Sequence, residues 1–479
     1  MFLLTPFEEY MLRDNHPAYP MSCFALLRFR GECKEQILRE SVVQTLRRHP
    51  LLACSVEELR PGVLCWKPND NPNVLTVVDA DVNIDGRFTP PFAVRGIDLF
   101  HEPAIKLTLW TANETFLFVE VHHSATDAAG TFLFLEDLFT EYAVRCGALP
   151  QNVKRRAINP NLLALRGKYG LTFGTVIRTL PRQLLGLTRA WMFLMNRPLP
   201  LVPFKPNLQQ QEPPQGFPTL LYKEFDENET QRIRAETKKR GVTLNDVLLH
   251  AVFSAMENCR RNWNIPLEHS SGQLRIAVPT DLRTPDVAEI SAANIVSMVF
   301  LDRKPKNIRN DTAFLRGIHR EMAHIKHCNL GLAFIHGLTI YKKLFGDYRK
   351  MIDQNRCWTT GTVSNLGRLF EETPFPVAED GNLRIGNMEL LNIYTTPPIR
   401  PQSVFGAGVS TYAGRLTLTL QYDTEALTHR QAEELLNAVF SSNSQGDAVD
   451  HAVRKCQVIA GERYAEKQRE PGSQVSGSQ

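Results

Sequence analysis

Residues 198–218, PLPLVPFKPNLQQQEPPQGFP, constrain this chain more than any other stretch: they hold seven Pro and three consecutive Gln. Proline fixes φ and lacks an amide hydrogen, so such a stretch runs through neither a helix nor a sheet interior. It reads as an extended linker. It divides the 479 residues into an N-terminal part, 1–197, and a C-terminal part, 219–457, with a frayed tail, 458–479, ending in EPGSQVSGSQ. No internal repeat of solenoid or propeller period is visible.

Both parts alternate helices with strands. In the first, Ile37, Leu38, Val42 and Leu46 fall near helical spacing, predicting a helix over 34–49 that Pro50 stops. FLFVEV at 116–121 is short, apolar and rich in aromatic and β-branched residues, as in a mostly buried strand. Phe132, Leu135, Leu138, Phe139 and Tyr142 mark a helix over 132–144. The second part reads as helices over 227–240 and 245–262 and strands at 274–278, 295–301, 360–363, 404–409 and 415–421. This alternation predicts an α/β fold in two domains.

With 43% hydrophobic and 22% charged residues, wholesale disorder, a fibrous rod and a multi-span membrane protein are excluded. Nine Cys without a C-x-x-C pair fit neither a disulfide scaffold nor a zinc ribbon. MFLLTPFEEYMLRD has a short apolar run and early acids, unlike a secretory signal. Together these predict a cytoplasmic protein with free thiols.

The net charge is only +4, but no Asp or Glu occurs from Tyr142 to Gln211. That stretch holds eleven of the 55 Lys and Arg, which leaves 44 against 51 acids elsewhere. Such a segment suits an anionic contact, either a phosphorylated ligand or a membrane surface. Within it, 181–196 reads as a helix opened by Pro181, with Leu184, Leu187, Trp191 and Leu194 on one face and Arg182 and Arg189 on another. It either packs on its own domain or makes a peripheral membrane contact. Arg178, Arg182, Arg189 and Arg197 break any apolar run long enough to span a bilayer.

The chemistry concentrates in His122-His123-Ser124-Ala125-Thr126-Asp127-Ala128-Ala129-Gly130. Two His end a buried strand, and an Asp stands at the mouth of a helix. Side chains alternate along a strand, so only one His faces a given cavity. The segment has three readings: satisfied polar residues with Asp127 as a helix N-cap, a metal site, to which opposed His contribute poorly, or one His as general base. None of the nine Cys lies near, Ser124 suits a loop cap, and no G-x-S-x-G, Walker A, GxGxxG or HExxH pattern occurs. No nucleic-acid module is recognisable.

This segment resembles the HHxxxDG signature of the superfamily that includes chloramphenicol acetyltransferase, condensation domains of nonribosomal peptide synthetases, mycobacterial polyketide-associated acyltransferases and wax ester synthase/diacylglycerol acyltransferases. Further similarities follow in the family's order. They are Leu46-Arg47-Arg48-His49-Pro50-Leu51-Leu52, Gly96-Ile97-Asp98-Leu99, Thr243-Leu244-Asn245-Asp246, Val278-Pro279-Thr280-Asp281-Leu282-Arg283, Ser364-Asn365-Leu366-Gly367 and Ser410-Thr411-Tyr412-Ala413-Gly414-Arg415-Leu416. The resemblance covers nearly the whole chain.

It implies two chloramphenicol-acetyltransferase-like domains with a tunnel between them. His123 would be the catalytic base, His122 a supporting residue, and Asp127 a structural residue paired with Arg283. Ser364 and Asn365 are candidate oxyanion or substrate-binding donors. No bound cofactor or metal is implied. The co-substrate would be acyl-CoA or an acyl-carrier thioester, the acceptor a small-molecule or lipid alcohol or amine, and a carrier protein a candidate partner. Two rival readings are a stand-alone condensation enzyme acting on carrier thioesters and a non-catalytic scaffold. One departure stands out: Ala128 replaces the Gly that follows the motif Asp. With ordinary helical φ the extra methyl is harmless, but with positive φ it strains the loop by ~1–2 kcal/mol.

Overall fold

The structure is a computed structural model that describes residues 2–69, 72–82, 84–169, 196, 198–265, 272–309, 311–352 and 355–441. The expected helix of 181–196, save Asn196, and the expected tail lie outside the described residues.

Three sheets organise the described chain. The six-stranded sheet runs β13 (Leu383–Ile385), β14 (Met388–Thr396), β2 (Ser22–Arg30), β8 (Thr115–His122), β7 (Ile105–Thr111), β5 (Leu75–Val77). The seven-stranded sheet runs β11 (Val296–Arg303), β10 (Leu274–Asp281), β12 (Gly361–Arg368), β15 (Phe405–Tyr412), β16 (Arg415–Tyr422), β9 (Leu220–Phe225), β6 (Arg87–Phe88). A small sheet joins β1 (Phe2–Leu3), β4 (Val63–Pro68) and β3 (Cys54–Arg60). The helices are α1 (Pro6–Arg13), α2 (Glu35–Arg48), α3 (Ala128–Arg145), α4 (Glu227–Arg240), α5 (Leu244–Asn262), α6 (Thr312–His327), α7 (Gly331–Phe345) and α8 (His429–Ser441).

The fold is the expected α/β, with one large sheet in each lobe, and most elements start and stop where local chemistry says they should. In α4, Asp226 and Glu229 close a capping box and Gly241 ends the helix at φ +66°, because a left-handed C-terminal residue costs glycine nothing. In α5, Thr243 and Asp246 form the same reciprocal cap. α2 ends where expected, at a short 3-10 turn opened by Pro50. In the hairpin between β15 and β16, Ala413 and Gly414 both have positive φ, as a tight turn matched to the strand twist requires.

Two cores lie between the sheets and their helices. In the first lobe, Phe134, Leu138 and Phe139 of α3 and Leu38 and Leu46 of α2 pack on Leu27, Leu107 and Val119. In the second, Leu249, Phe253 and Met256 of α5 and Leu435 of α8 pack on Ile276, Leu418 and Leu420. Each fully buried side chain of this size contributes roughly 1.5–3 kcal/mol.

The two parts of the sequence do not correspond cleanly to the two sheets. β13 and β14, from the C-terminal part, extend the first sheet, and β6, from the N-terminal part, edges the second. Where the sheets meet, β14 lies across β15, and a Cβ at Gly408 would collide with the Thr395 carbonyl. Strand spacing can locate the turn between two strands, but it carries no record of which sheet a strand will join. No helix among the described residues is long and apolar enough to cross a membrane.

Candidate active site

β8 is buried on both faces along its length and delivers the two His to different environments. His122 pairs with Ser22 across β2 and is wholly buried. Its Nδ1 accepts the Ser124 amide N–H at 3.2 Å, so the ring proton sits on Nε2, which has no partner among the described residues. Burial, reinforced by His123 and Arg400, pushes its pKa down to about 3. His122 is therefore neutral at any working pH and is a brace for the loop.

His123 leaves the strand and is only half-buried. Its amide donates to the Met21 carbonyl at 2.8 Å, and its Nδ1–H donates to the Thr126 carbonyl at 3.1 Å. A carbonyl can only accept, so this bond assigns the ring proton to Nδ1 and leaves a lone pair on Nε2. Burial holds the imidazole below its ordinary value, opposed by the Asp127 carboxylate.

Asp127 caps α3, its carboxylate accepting the Gly130 amide at 2.9 Å. The same carboxylate accepts the Ile295 amide at 2.8 Å and receives both terminal nitrogens of Arg283, at 2.8 and 2.9 Å. Sequence reasoning offered the cap and the Arg partner as separate roles, and the geometry holds both at once. Desolvation raises the carboxyl's pKa, but Arg283 and the two amides outweigh it and hold it below the ordinary value. Arg283 also donates to Asp281 at 3.1 Å and to the Ala293 carbonyl at 3.2 Å.

Ala128 opens α3 and is absent from the positive-φ residues, so the methyl is accommodated without backbone strain. The glycine that the loop needs is Gly130. A Cβ there would collide with Thr126 Oγ1 and come within 2.9 Å of the Ala293 nitrogen.

The segment before β11 was missed by sequence reasoning. The Asn294 amide group donates to the His123 carbonyl at 2.6 Å and thereby fixes the backbone of the candidate base. Beside it, the Ala292 amide donates to His49 Nδ1 at 2.9 Å, and His49 Nε2–H donates to Asp137 at 3.0 Å. No local spacing announces these contacts, which span 171 and 243 residues.

Two cavities meet at His123, Pro279 and Pro397. The larger, about 260 Å³, is lined by Ser364 and Asn365 of β12 together with Asp281, Arg283 and Thr396. Asn365 Oδ1 accepts the Gly367 amide at 3.0 Å, which orients the side chain on this wall. The smaller, about 170 Å³, lies on the other side, between α1 and the second sheet. His123 thus lines both cavities, which lie where the tunnel between the lobes is expected. Among the described residues, no group of three or more His, Cys, Asp or Glu is placed to hold a metal ion.

Neither a protein-family model nor a curated protein matches the chain. Solved structures do. A mutant starter condensation domain of rhizomide synthetase in complex with C8-CoA aligns with a TM-score of 0.62 at 11% identity, covering 91% of this chain and 92% of that one. The first condensation domain of the calcium-dependent antibiotic synthetase, in complex with a substrate analogue, gives 0.63 at 12% identity, covering 93% and 97%. Polyketide synthase associated protein 5 from Mycobacterium tuberculosis gives 0.57 at 15% identity, covering 93% and 98%. The chain has the two-lobed α/β fold of the condensation domains and of the polyketide synthase associated protein, the fold that the HHxxxD resemblance implied.

Proposed function

We propose that this protein is an acyltransferase that moves an acyl group from a thioester, acyl-CoA or carrier-bound, directly to a hydroxyl or amine. The carrying observation is the His123 ring at the junction of two cavities, with Nδ1–H held by the Thr126 carbonyl and Nε2 left as an acceptor. Donor and acceptor approach from opposite ends and meet at His123. Nε2 takes the acceptor's proton as its oxygen or nitrogen attacks the thioester carbonyl. The tetrahedral oxyanion is stabilised by donors on the cavity wall, for which Ser364 and Asn365 are the candidates. Collapse expels the thiolate, which takes the proton back from His123.

The depressed pKa of His123 supports this role, since a base must be unprotonated before it acts. The Arg283–Asp127 pair and Asn294 are positioning residues that hold the loop. One structure of this fold, the starter condensation domain, holds C8-CoA, so acyl-CoA and carrier-bound donors are both tested. The test is thiol release from a panel of acyl-CoAs and acyl-carrier thioesters, with and without mixed alcohols and amines. Acceptor-dependent release that disappears in His123→Ala supports the proposal. Release with no acceptor dependence, or retained in that variant, overturns it.

A further inference from the structure

The smaller cavity has walls that the transfer chemistry alone does not require. One wall is helical: Phe7, Tyr10, Met11 and Asp14 follow the i, i+3, i+4, i+7 spacing along α1 and its C-cap, which puts them on one face. The facing wall is a sheet. Met298 and Phe300 alternate on β11 and pair across to Pro279 and Ala277 of β10, while the intervening Val299 and Leu301 turn into the second-lobe core. Met21, Phe334, Met351 and Trp358 add to the apolar lining, with Thr359, Thr362 and Arg356 at its polar edge. Of its charged side chains, Asp14 and Arg400 form a 2.8 Å ion pair and the Arg356 guanidinium lies 4.2 Å over the Trp358 ring.

We infer that this cavity is a subsite for an apolar group of about six to eight non-hydrogen atoms, alkyl or aryl, belonging to the acyl chain or to the acceptor. The inference rests on the transfer reading only for those two sources. Its size follows from volume: an apolar cavity of about 150 Å³ takes benzene, and this one is about 170 Å³. Its tolerance follows from composition. Methionine is unbranched and polarisable and moulds to irregular partners, so four of them in one lining limit length more strictly than shape.

The test is equilibrium titration of the full chain with 1-alkanols from butanol to dodecanol, and with benzyl alcohol, read through Trp358 fluorescence against a Trp358→Phe control. Affinity should rise about fourfold per methylene and flatten at six to eight carbons. Met298→Trp, which fills the cavity, should weaken hexanol binding at least tenfold. Phe334→Ala, which enlarges it, should move the plateau to longer chains. Octanoyl-CoA that displaces hexanol assigns the subsite to the donor chain, and octanoyl-CoA that binds beside hexanol assigns it to the acceptor. Affinity that climbs through dodecanol without a plateau, or a plateau unmoved in both variants, overturns the inference. These titrations need no turnover. A plateau in a protein that releases no thiol keeps the subsite and removes the transferase reading, and thiol release with no plateau does the reverse.

Discussion

Replacing Asp127 by Ala tests the joint between the candidate catalytic loop and the second half of the chain. The carboxylate takes four hydrogen bonds, from Gly130, Ile295 and two nitrogens of Arg283. Losing the helix cap costs about 1 kcal/mol. Breaking a buried ion pair costs about 3–5 kcal/mol. Exposed Asp281, 3.1 Å from Arg283, still shares the guanidinium charge, so the lower end applies and the total expected is about 4 kcal/mol.

Arg283→Ala should cost less, about 2–3 kcal/mol, because the stranded carboxylate keeps two amides and the N-terminus of α3, which favours negative charge. Urea unfolding of both single variants and the double variant reads these values and their coupling. The pH dependence has a fixed sign. The Asp127 pKa is depressed below its ordinary 3.8, so its contribution is complete above the unfolded value and is lost as the pH falls through the folded one, below about pH 4. The Asp127→Ala protein should lack this acid-side loss. A variant within about 0.5 kcal/mol of wild type, the range of an ordinary surface change, or one less damaged than Arg283→Ala, refutes the reasoning.

Other expectations follow from the same geometry. His123→Ala should lower turnover about 10²–10⁴-fold, with thermal unfolding nearly unchanged. Because burial holds the His123 pKa below its usual 6.5, turnover should stay level through neutrality and fall only at more acidic pH, as a rate–pH profile would record. His122→Ala should act on stability, by about 1–3 kcal/mol, since the buried Ser124 amide loses its acceptor. Gly130→Ala should damage folding and turnover together, because the new methyl meets Thr126 and the Ala293 backbone. Ala128→Gly, at the half-buried first residue of α3, should cost no more than about 1 kcal/mol and leave turnover intact, as thermal melts and thiol release would show.

The site's strand, its two His and its cap are legible because they are contiguous: a buried strand, a loop and a helix N-terminus declare themselves within sixteen residues. α1 was legible in principle. Thr5, Pro6 and Glu8 spell a capping box with Pro in the first turn, yet its apolar residues drew attention only as a possible leader. β2 and β14 were harder. SCFALLRFR and MELLNIYTT contact the core on one face and other elements on the reverse, so neither alternates cleanly. The partnership of Arg283 with Asp127 came from a family resemblance, not from spacing. Asn294 had no signal, because its one decisive bond reaches a carbonyl 171 residues away.

The exchange of strands between the two sheets has a consequence for anyone who cuts this chain. Severed within 198–218, the N-terminal piece would lack β13 and β14 and would bare the whole edge of β2, whose amides and carbonyls β14 now satisfies from Phe24 to Arg30. An uncovered edge of that length invites pairing with any passing strand, so the piece alone should precipitate. Supplied together, the two pieces should rescue one another, since each carries the missing rung of its neighbour's ladder. The stretch that reads as a linker in sequence is thus a place where the covalent chain can be cut while the lobes stay fastened, so long as the cut spares Leu201 and Val202, which pack in the second-lobe core.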